Sequence, residues 1–238
     1  MIDYMFKKAY YMSLYVCSVC NYGCANCGKI EMRKADPHYQ MSIEELKQFI
    51  YSWRKSGYRP YRTLVLTGGE PLMWENLNEG AELLKRAGVS KRLDLFTNGL
   101  IVENVTSDLL SGRFQLRISR YKRNEENVKT LCNKFGKKVR VVNQQTHYIV
   151  PKALHPEDTI PCACKCQGLF VYDWNVYACT NLIDVYLGCK QSLGEIEKYK
   201  TSLQPGYHQA LSEFPRANHI FCRGCIANKN LGERMKRV

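Results

Sequence analysis

The first 150 residues alternate between two hydrophobic periods. Short runs rich in branched and aromatic side chains mark strands at 9–16, 63–67, 92–97, 114–119, 139–142 and 146–150. Between them, apolar positions recur every three or four residues over 43–56, 75–87, 103–110 and 125–135, the spacing of amphipathic helices. Ser42 followed by Glu45 reads as a capping box opening the first of these helices. Gly57, Gly88 and Gly112 stand where helices would stop. Strict strand–helix alternation predicts βαβ units and a mostly parallel sheet. Such sheets gather their chemistry at the carboxyl ends of the strands. Three non-periodic segments directly follow predicted strands and should share that end: the loop at 20–27, Gly68-Gly69-Glu70-Pro71, and Thr97-Asn98-Gly99.

The texture changes near residue 151. Pro151, Pro156 and Pro161 interrupt regular structure, followed by Cys162-Ala163-Cys164-Lys165-Cys166. Residues 168–172 and 175–179 then read as a hairpin turning at Asp173-Trp174. The remainder is irregular and closes with Cys222-Arg223-Gly224-Cys225. The organisation expected is therefore an α/β unit over 1–150 and a small cysteine-rich module over 151–238.

Composition narrows the class. With 238 residues and 45% hydrophobic content, the chain can bury a sizeable core. No positively charged n-region precedes an apolar stretch, and no run approaches the roughly 18 apolar residues of a membrane span. A soluble, cytoplasmic protein without membrane contact is expected. The net charge of +13 permits nucleic-acid or phosphate partners. The basic residues are dispersed, however, with their densest stretches at 85–92, 117–123, 134–140 and 229–237, as on a solvated surface. Twelve cysteines are many for a reducing compartment, where thiols point to metal or catalysis. Four lie at 17–27 and seven at 162–225. Cys132 stands apart on a helical pattern, as a core thiol would, and Cys17 and Cys189 read as ordinary thiols.

Cys20, Cys24 and Cys27 are spaced C-x3-C-x2-C, with no fourth cysteine nearby on the C-terminal side. Three thiolates can hold three irons of a cubane iron–sulfur cluster and leave the fourth iron open to another ligand. An electron-transfer cluster normally takes four protein ligands. The competing account is zinc, whose structural sites need four ligands and usually come as two close pairs.

The cysteine loop after a first strand, with Gly68-Gly69-Glu70-Pro71 after a second, resembles the radical S-adenosylmethionine (SAM) superfamily over roughly 10–150. The resemblance implies a partial (β/α)6 barrel. It implies a [4Fe–4S] cluster on Cys20, Cys24 and Cys27 whose open iron takes SAM. It places the SAM amino group on backbone around Gly68, Gly69 and Glu70, with Pro71 completing the motif, and SAM contacts at Asn98 and Ser119. The glycines would let backbone approach the ligand closely. The aromatic residue the family usually carries before the third cysteine is replaced here by Asn26, and Tyr22 is a candidate substitute. The C-terminal cysteines resemble the SPASM or shorter twitch module, with Trp174 in place of the usual hairpin Gly. That likeness implies a second, auxiliary [4Fe–4S] cluster on Cys179, Cys222, Cys225 and one of Cys162, Cys164 or Cys166.

The chemistry so implied is reductive cleavage of SAM to a 5′-deoxyadenosyl radical, followed by hydrogen-atom abstraction. The substrate expected is a small, sugar-like molecule undergoing oxidation or epimerisation. An external one-electron reductant such as flavodoxin or ferredoxin would be needed. Two alternatives stand beside this: a radical SAM modifier of a peptide or tRNA, and a zinc-stapled nucleic-acid-binding protein. His147, Tyr148, His155, Arg117, Arg120 and Tyr121 are candidate hydrogen or proton donors, and the sequence assigns no catalytic role among them.

Overall fold

In a computed structural model, the described residues are 11–24, 27–143, 168–179, 182–188 and 196–212. The first half runs β1 (Tyr11–Cys17), α1 (Ile30–Ala35), α2 (Ile43–Lys55), β2 (Thr63–Gly68), α3 (Leu77–Ala87), β3 (Leu93–Thr97), β4 (Phe114–Arg120), α4 (Glu125–Phe135) and β5 (Val139–Asn143), departing from strict alternation in the unexpected α1 and in the lack of a helix between β3 and β4. Then come β6 (Gly168–Tyr172), β7 (Asn175–Tyr177), α5 (Leu182–Gly188), β8 (Lys200–Ser202) and α6 (Tyr207–Ser212). The eight strands form one sheet in the order β5-β4-β3-β2-β1-β6-β7-β8. Strands β1 to β6 are mutually parallel where they pair, and β7 and β8 add antiparallel at one edge.

The two faces of the sheet differ. Met12, Leu14, Val16, Leu64, Leu66, Leu93, Leu95, Phe114, Leu116 and Ile118 are buried on one face. They pack with Phe49, Ile50 and Trp53 of α2, Leu77, Ala81 and Leu84 of α3, and Val128 and Leu131 of α4. Alternate strand positions point the other way, as the pleat requires. That second face carries Tyr11, Ser13, Asp94, Gln115 and Arg117 along β1, β3 and β4, opposite the side that α2, α3 and α4 cover. A smaller core of Tyr15, Met32, Phe170, Leu182, Ile183 and Tyr186 packs α1 and α5 beside β1 and β6.

The helix expected over 103–110 is a series of turns. Val105, Leu109 and Leu110 are buried as the spacing required. Local side chains nevertheless satisfy the backbone differently: Thr106 Oγ1 accepts from Leu109 N at 3.1 Å, and Ser111 Oγ donates to Asp108 O at 2.7 Å. Such bonds compete with a helical ladder. The capping box is half formed. Ser42 Oγ accepts from Glu45 N at 3.0 Å, but the Glu45 carboxylate turns to Tyr39 OH and Trp174 N instead.

The expected hairpin is present and turns at Asp173-Trp174, both with left-handed backbone (φ 46° and 57°). Left-handed conformations cost a non-glycine residue about 1–2 kcal/mol. Here the turn is held from outside: Trp174 N donates to Glu45 Oε1 at 3.0 Å and Asp173 N to Tyr39 OH at 3.3 Å. The hairpin also joins the main sheet, with β6 alongside β1. The strand expected at 146–150 and the boundary near 151 lie outside the described residues. No described helix is long and apolar enough to cross a membrane.

Candidate functional site

Because β1, β2, β3 and β4 run parallel, the segments following them emerge at one end of the sheet. The cysteine loop leaves β1, Gly69-Glu70-Pro71 leaves β2, Asn98-Gly99 leaves β3, and Ser119 lies near the end of β4. This is the convergence the sequence predicted. Of the further cysteines expected to ligate an auxiliary cluster, Cys179 is described and is buried in the smaller core. Cys162, Cys164, Cys166, Cys222 and Cys225 lie outside the described residues, as do His147, Tyr148 and His155.

The β1–β2 side is locked main chain to main chain. Gly69 N donates to Cys17 O at 2.6 Å and Glu70 N to Val19 O at 2.8 Å. A Cβ on Gly68 would lie 2.3 Å from Cys17 O, and one on Gly69 would lie 2.3 Å from Val19 O. The reason for both glycines therefore differs from the sequence-based expectation. The close neighbour that excludes a side chain is the protein's own backbone at 17–19, not only a ligand. Cys17 is part of this lock: its buried thiol donates to Glu70 O at 3.2 Å. Burial, reinforced by the Glu70 carboxylate, pushes that thiol up to about 12.

The β2–β3–β4 side is held by side chains. The buried Glu70 carboxylate accepts from Leu72 N at 3.1 Å and from Asn98 N at 2.7 Å. Burial raises its pKa while these donors pull it down. Pro71 starts the short 3-10 turn Pro71–Met73. Asn98 reaches the cysteine loop, donating through Nδ2 to Asn21 Oδ1 at 2.9 Å and toward Cys20 Sγ at 3.8 Å. The sequence reading overlooked Asn124. Its buried amide donates to Asn98 O at 2.5 Å and Ser119 O at 2.8 Å, and its Oδ1 accepts from Tyr121 N at 2.8 Å. One side chain thus fixes the ends of β3 and β4 together. An Asn at a helix start was the available signal.

Cys20, Cys24 and Cys27 are free thiols, each part-exposed. Burial raises the pKa of Cys20 and Cys24, and each of the two feels Cys27 electrostatically. Arg33, whose Nε donates to Ser18 O at 3.1 Å, lowers both. Among the described residues, no three His, Cys, Asp or Glu side chains are arranged as a single metal-ion site. Three free thiols on one loop are the soft donors that iron–sulfur irons take, so the chemistry of this donor set fits a cluster. Asn98, directed at Cys20 Sγ, supplies the kind of amide contact that tunes cluster sulfurs. The Tyr22 ring packs tilted by 40° against that of Tyr121, with centroids 5.1 Å apart, and the Tyr121 hydroxyl lies 4.0 Å from Cys24 Sγ. An aromatic pair thus flanks the cysteine loop at Cys24.

Residues 14–142, more than half of the chain, match the radical SAM superfamily, and the chain belongs to it. That membership sets aside the zinc-stapled alternative. Among curated relatives, it is similar to GTP 3′,8-cyclase of Desulforamulus reducens, with 31% identity over 46% of this chain and 33% of the relative. It is also similar to the GTP 3′,8-cyclase of Campylobacter jejuni strain RM1221, with 29% identity over 56% of this chain and 42% of that one. The matched region thus spans less than half the length of these relatives. Among solved structures, the fold resembles BtrN in complex with AdoMet and 2-DOIA. The TM-score is 0.58 at 14% identity, covering 91% of this chain and 92% of that one. An open conformation of BtrN matches with a TM-score of 0.54.

Proposed function

We propose that this protein reductively cleaves SAM and uses the product to abstract a hydrogen atom from a small, sugar-like substrate, leading to oxidation or epimerisation. The observation that supports this reading is the convergence, at one end of four parallel strands, of three free thiols, the Gly69-Glu70 turn and Asn98. Cys20, Cys24 and Cys27 would hold the cluster, and main-chain carbonyls at 68–70 would accept the SAM amino group. Pro71 sets the turn that follows, while Asn98 and Ser119 line the SAM side. When bound, the cluster and SAM supply one-electron cleavage chemistry, and the protein contributes orientation and exclusion of water. An external reductant such as flavodoxin or ferredoxin delivers the electron. Cys179, with Cys222, Cys225 and one of Cys162, Cys164 or Cys166, would hold an auxiliary cluster in a SPASM- or twitch-like module. The likeness to GTP 3′,8-cyclases favours a second reading, in which the same abstraction ends in ring formation.

Anaerobic reconstitution followed by iron analysis and SAM cleavage under dithionite tests the proposal. Two cubanes correspond to about eight irons per chain. Cys24→Ala should reduce SAM cleavage to the no-protein level while retaining about four irons on the C-terminal cysteines. Cleavage that persists in Cys24→Ala would overturn the assignment of the loop.

A further inference from the structure

The sheet face opposite α2, α3 and α4 is strongly polar along β3 and β4. Asp94 on β3 is fully buried; its Oδ1 accepts a hydrogen bond from Arg92 Nε at 2.8 Å, and its Oδ2 forms an ion pair with Arg117 Nε at 2.9 Å. Arg117 also lies over the Phe96 ring, 5.2 Å from its centroid. Arg140 on β5 is in register with Arg117 on β4. Val139 and Val141 pack toward the helix-covered core, so Arg140 projects with Arg117 on the opposite face. Tyr11 lies on this same face of β1, two positions before Ser13.

Two guanidiniums therefore meet one carboxylate, and a third, Arg140, stands on the neighbouring strand β5. Arg92 and Arg117 reach Asp94 through Nε, and among the described residues none pairs with the terminal nitrogens of Arg117. Arg117 and Arg140 set like charges side by side on adjacent strands, an arrangement that destabilises a sheet unless something offsets it. A fork of terminal N–H groups matches the oxygens of a phosphate or carboxylate. Arg117 precedes Ser119 by two residues, about 7 Å along the strand. An anion held there would sit one layer below the cofactor end of the sheet.

We infer that Arg117 and Arg140 bind an anionic group of the substrate, a phosphate or a carboxylate, on the face opposite α2, α3 and α4, with Phe96 as the adjoining apolar wall. Asp94 is a positioning residue that holds Arg117 in place through its charge. The inference rests on the proposed function in taking this face as the substrate chamber, and it narrows the substrate class from sugar-like to anionic.

The test is calorimetric titration of the reconstituted full-length protein, with SAM present, using three matched probes: glucose 6-phosphate, gluconate and glucose. Saturable binding is expected for one of the anions, at least about tenfold tighter than for glucose. Preference for the first identifies phosphate, and preference for the second identifies carboxylate. Arg140→Gln should weaken that binding at least about tenfold, and Arg117→Gln likewise. Arg86→Gln, on the exposed side of α3, should leave it unchanged. Equal binding of glucose, no binding of either anion, or equal losses in Arg140→Gln and Arg86→Gln would overturn the inference. If Arg117→Gln does not fold, Arg140→Gln decides alone, because its side chain is exposed and has no recorded partner among the described residues. SAM cleavage, read separately on the same preparations, tests the proposed function independently of the anion result.

Discussion

The two halves of the rim are built in different ways. Between β1 and β2, backbone lies against backbone with no room for even a methyl group at Gly68 or Gly69. Between β2, β3 and β4, the junction is made by three polar side chains, Glu70, Asn98 and Asn124. The first arrangement is rigid because steric exclusion has no alternative geometry. The second is specific because each buried donor or acceptor has a named partner, and losing one strands another. The cysteine loop hangs between the two halves, so steric exclusion sets its depth and hydrogen bonding sets its lateral position.

Gly69→Ala is the most direct way to break the first half. The new methyl would meet the Val19 and Ser18 carbonyls, which belong to main chain and cannot rotate away. A loss of about 3 kcal/mol in denaturant unfolding is expected, with reduced iron content after reconstitution. Unchanged stability would mean that the 17–19 segment is softer than its contacts imply. Asn124→Ala attacks the second half. It leaves Asn98 O, Ser119 O and Tyr121 N without their partner and should cost about 2 kcal/mol. Iron content should stay normal in this variant, while SAM affinity falls. Equal loss of iron in both variants would erase the distinction between the halves.

A smaller effect sharpens the comparison from outside the rim. Burial raises the pKa of Glu45 above its usual 4.5, although Trp174 N and Tyr39 OH bond to it. A carboxyl raised in the folded state holds its proton longer there than in the unfolded chain. Its contribution is therefore fully present below the unfolded value and is lost as pH rises through the folded one. Thermal unfolding from pH 4 to 7 should show the wild type losing stability relative to Glu45→Gln as pH rises. Iron content and SAM cleavage should be unaffected, because Glu45 braces the hairpin and not the cysteine loop. An opposite slope would show that the hydrogen bonds to the carboxylate outweigh its burial.

Much of this architecture was legible because periodicity reports local geometry. The strands at 63–67, 92–97 and 114–119 lie within one residue of their observed limits at each end, and the helix at 125–135 coincides with α4. The turns at 103–110 were not legible, since Thr106, Asp108 and Ser111 satisfy backbone groups that apolar spacing alone assigns to a helix. Long-range pairings were also invisible. Nothing in Glu45 announces a partner 129 positions later, and nothing in 168–172 reveals parallel pairing with β1. For the site, cysteine spacing and the Gly-Gly-Glu sequence carried the resemblance. Asn124 and the register of Arg117 with Arg140 needed the folded sheet, because a lone Asn or Arg has no distinctive local pattern.

The union of β6 with β1 has a bearing on how the molecule can be divided. β1 is apolar, almost wholly enclosed, and bonded on both flanks. Cutting the protein at its change of texture would turn that innermost strand into a raw border of unpaired amides, a template for sticking to other copies. A preparation of the first 150 residues alone should therefore clump, where the uncut protein stays dispersed.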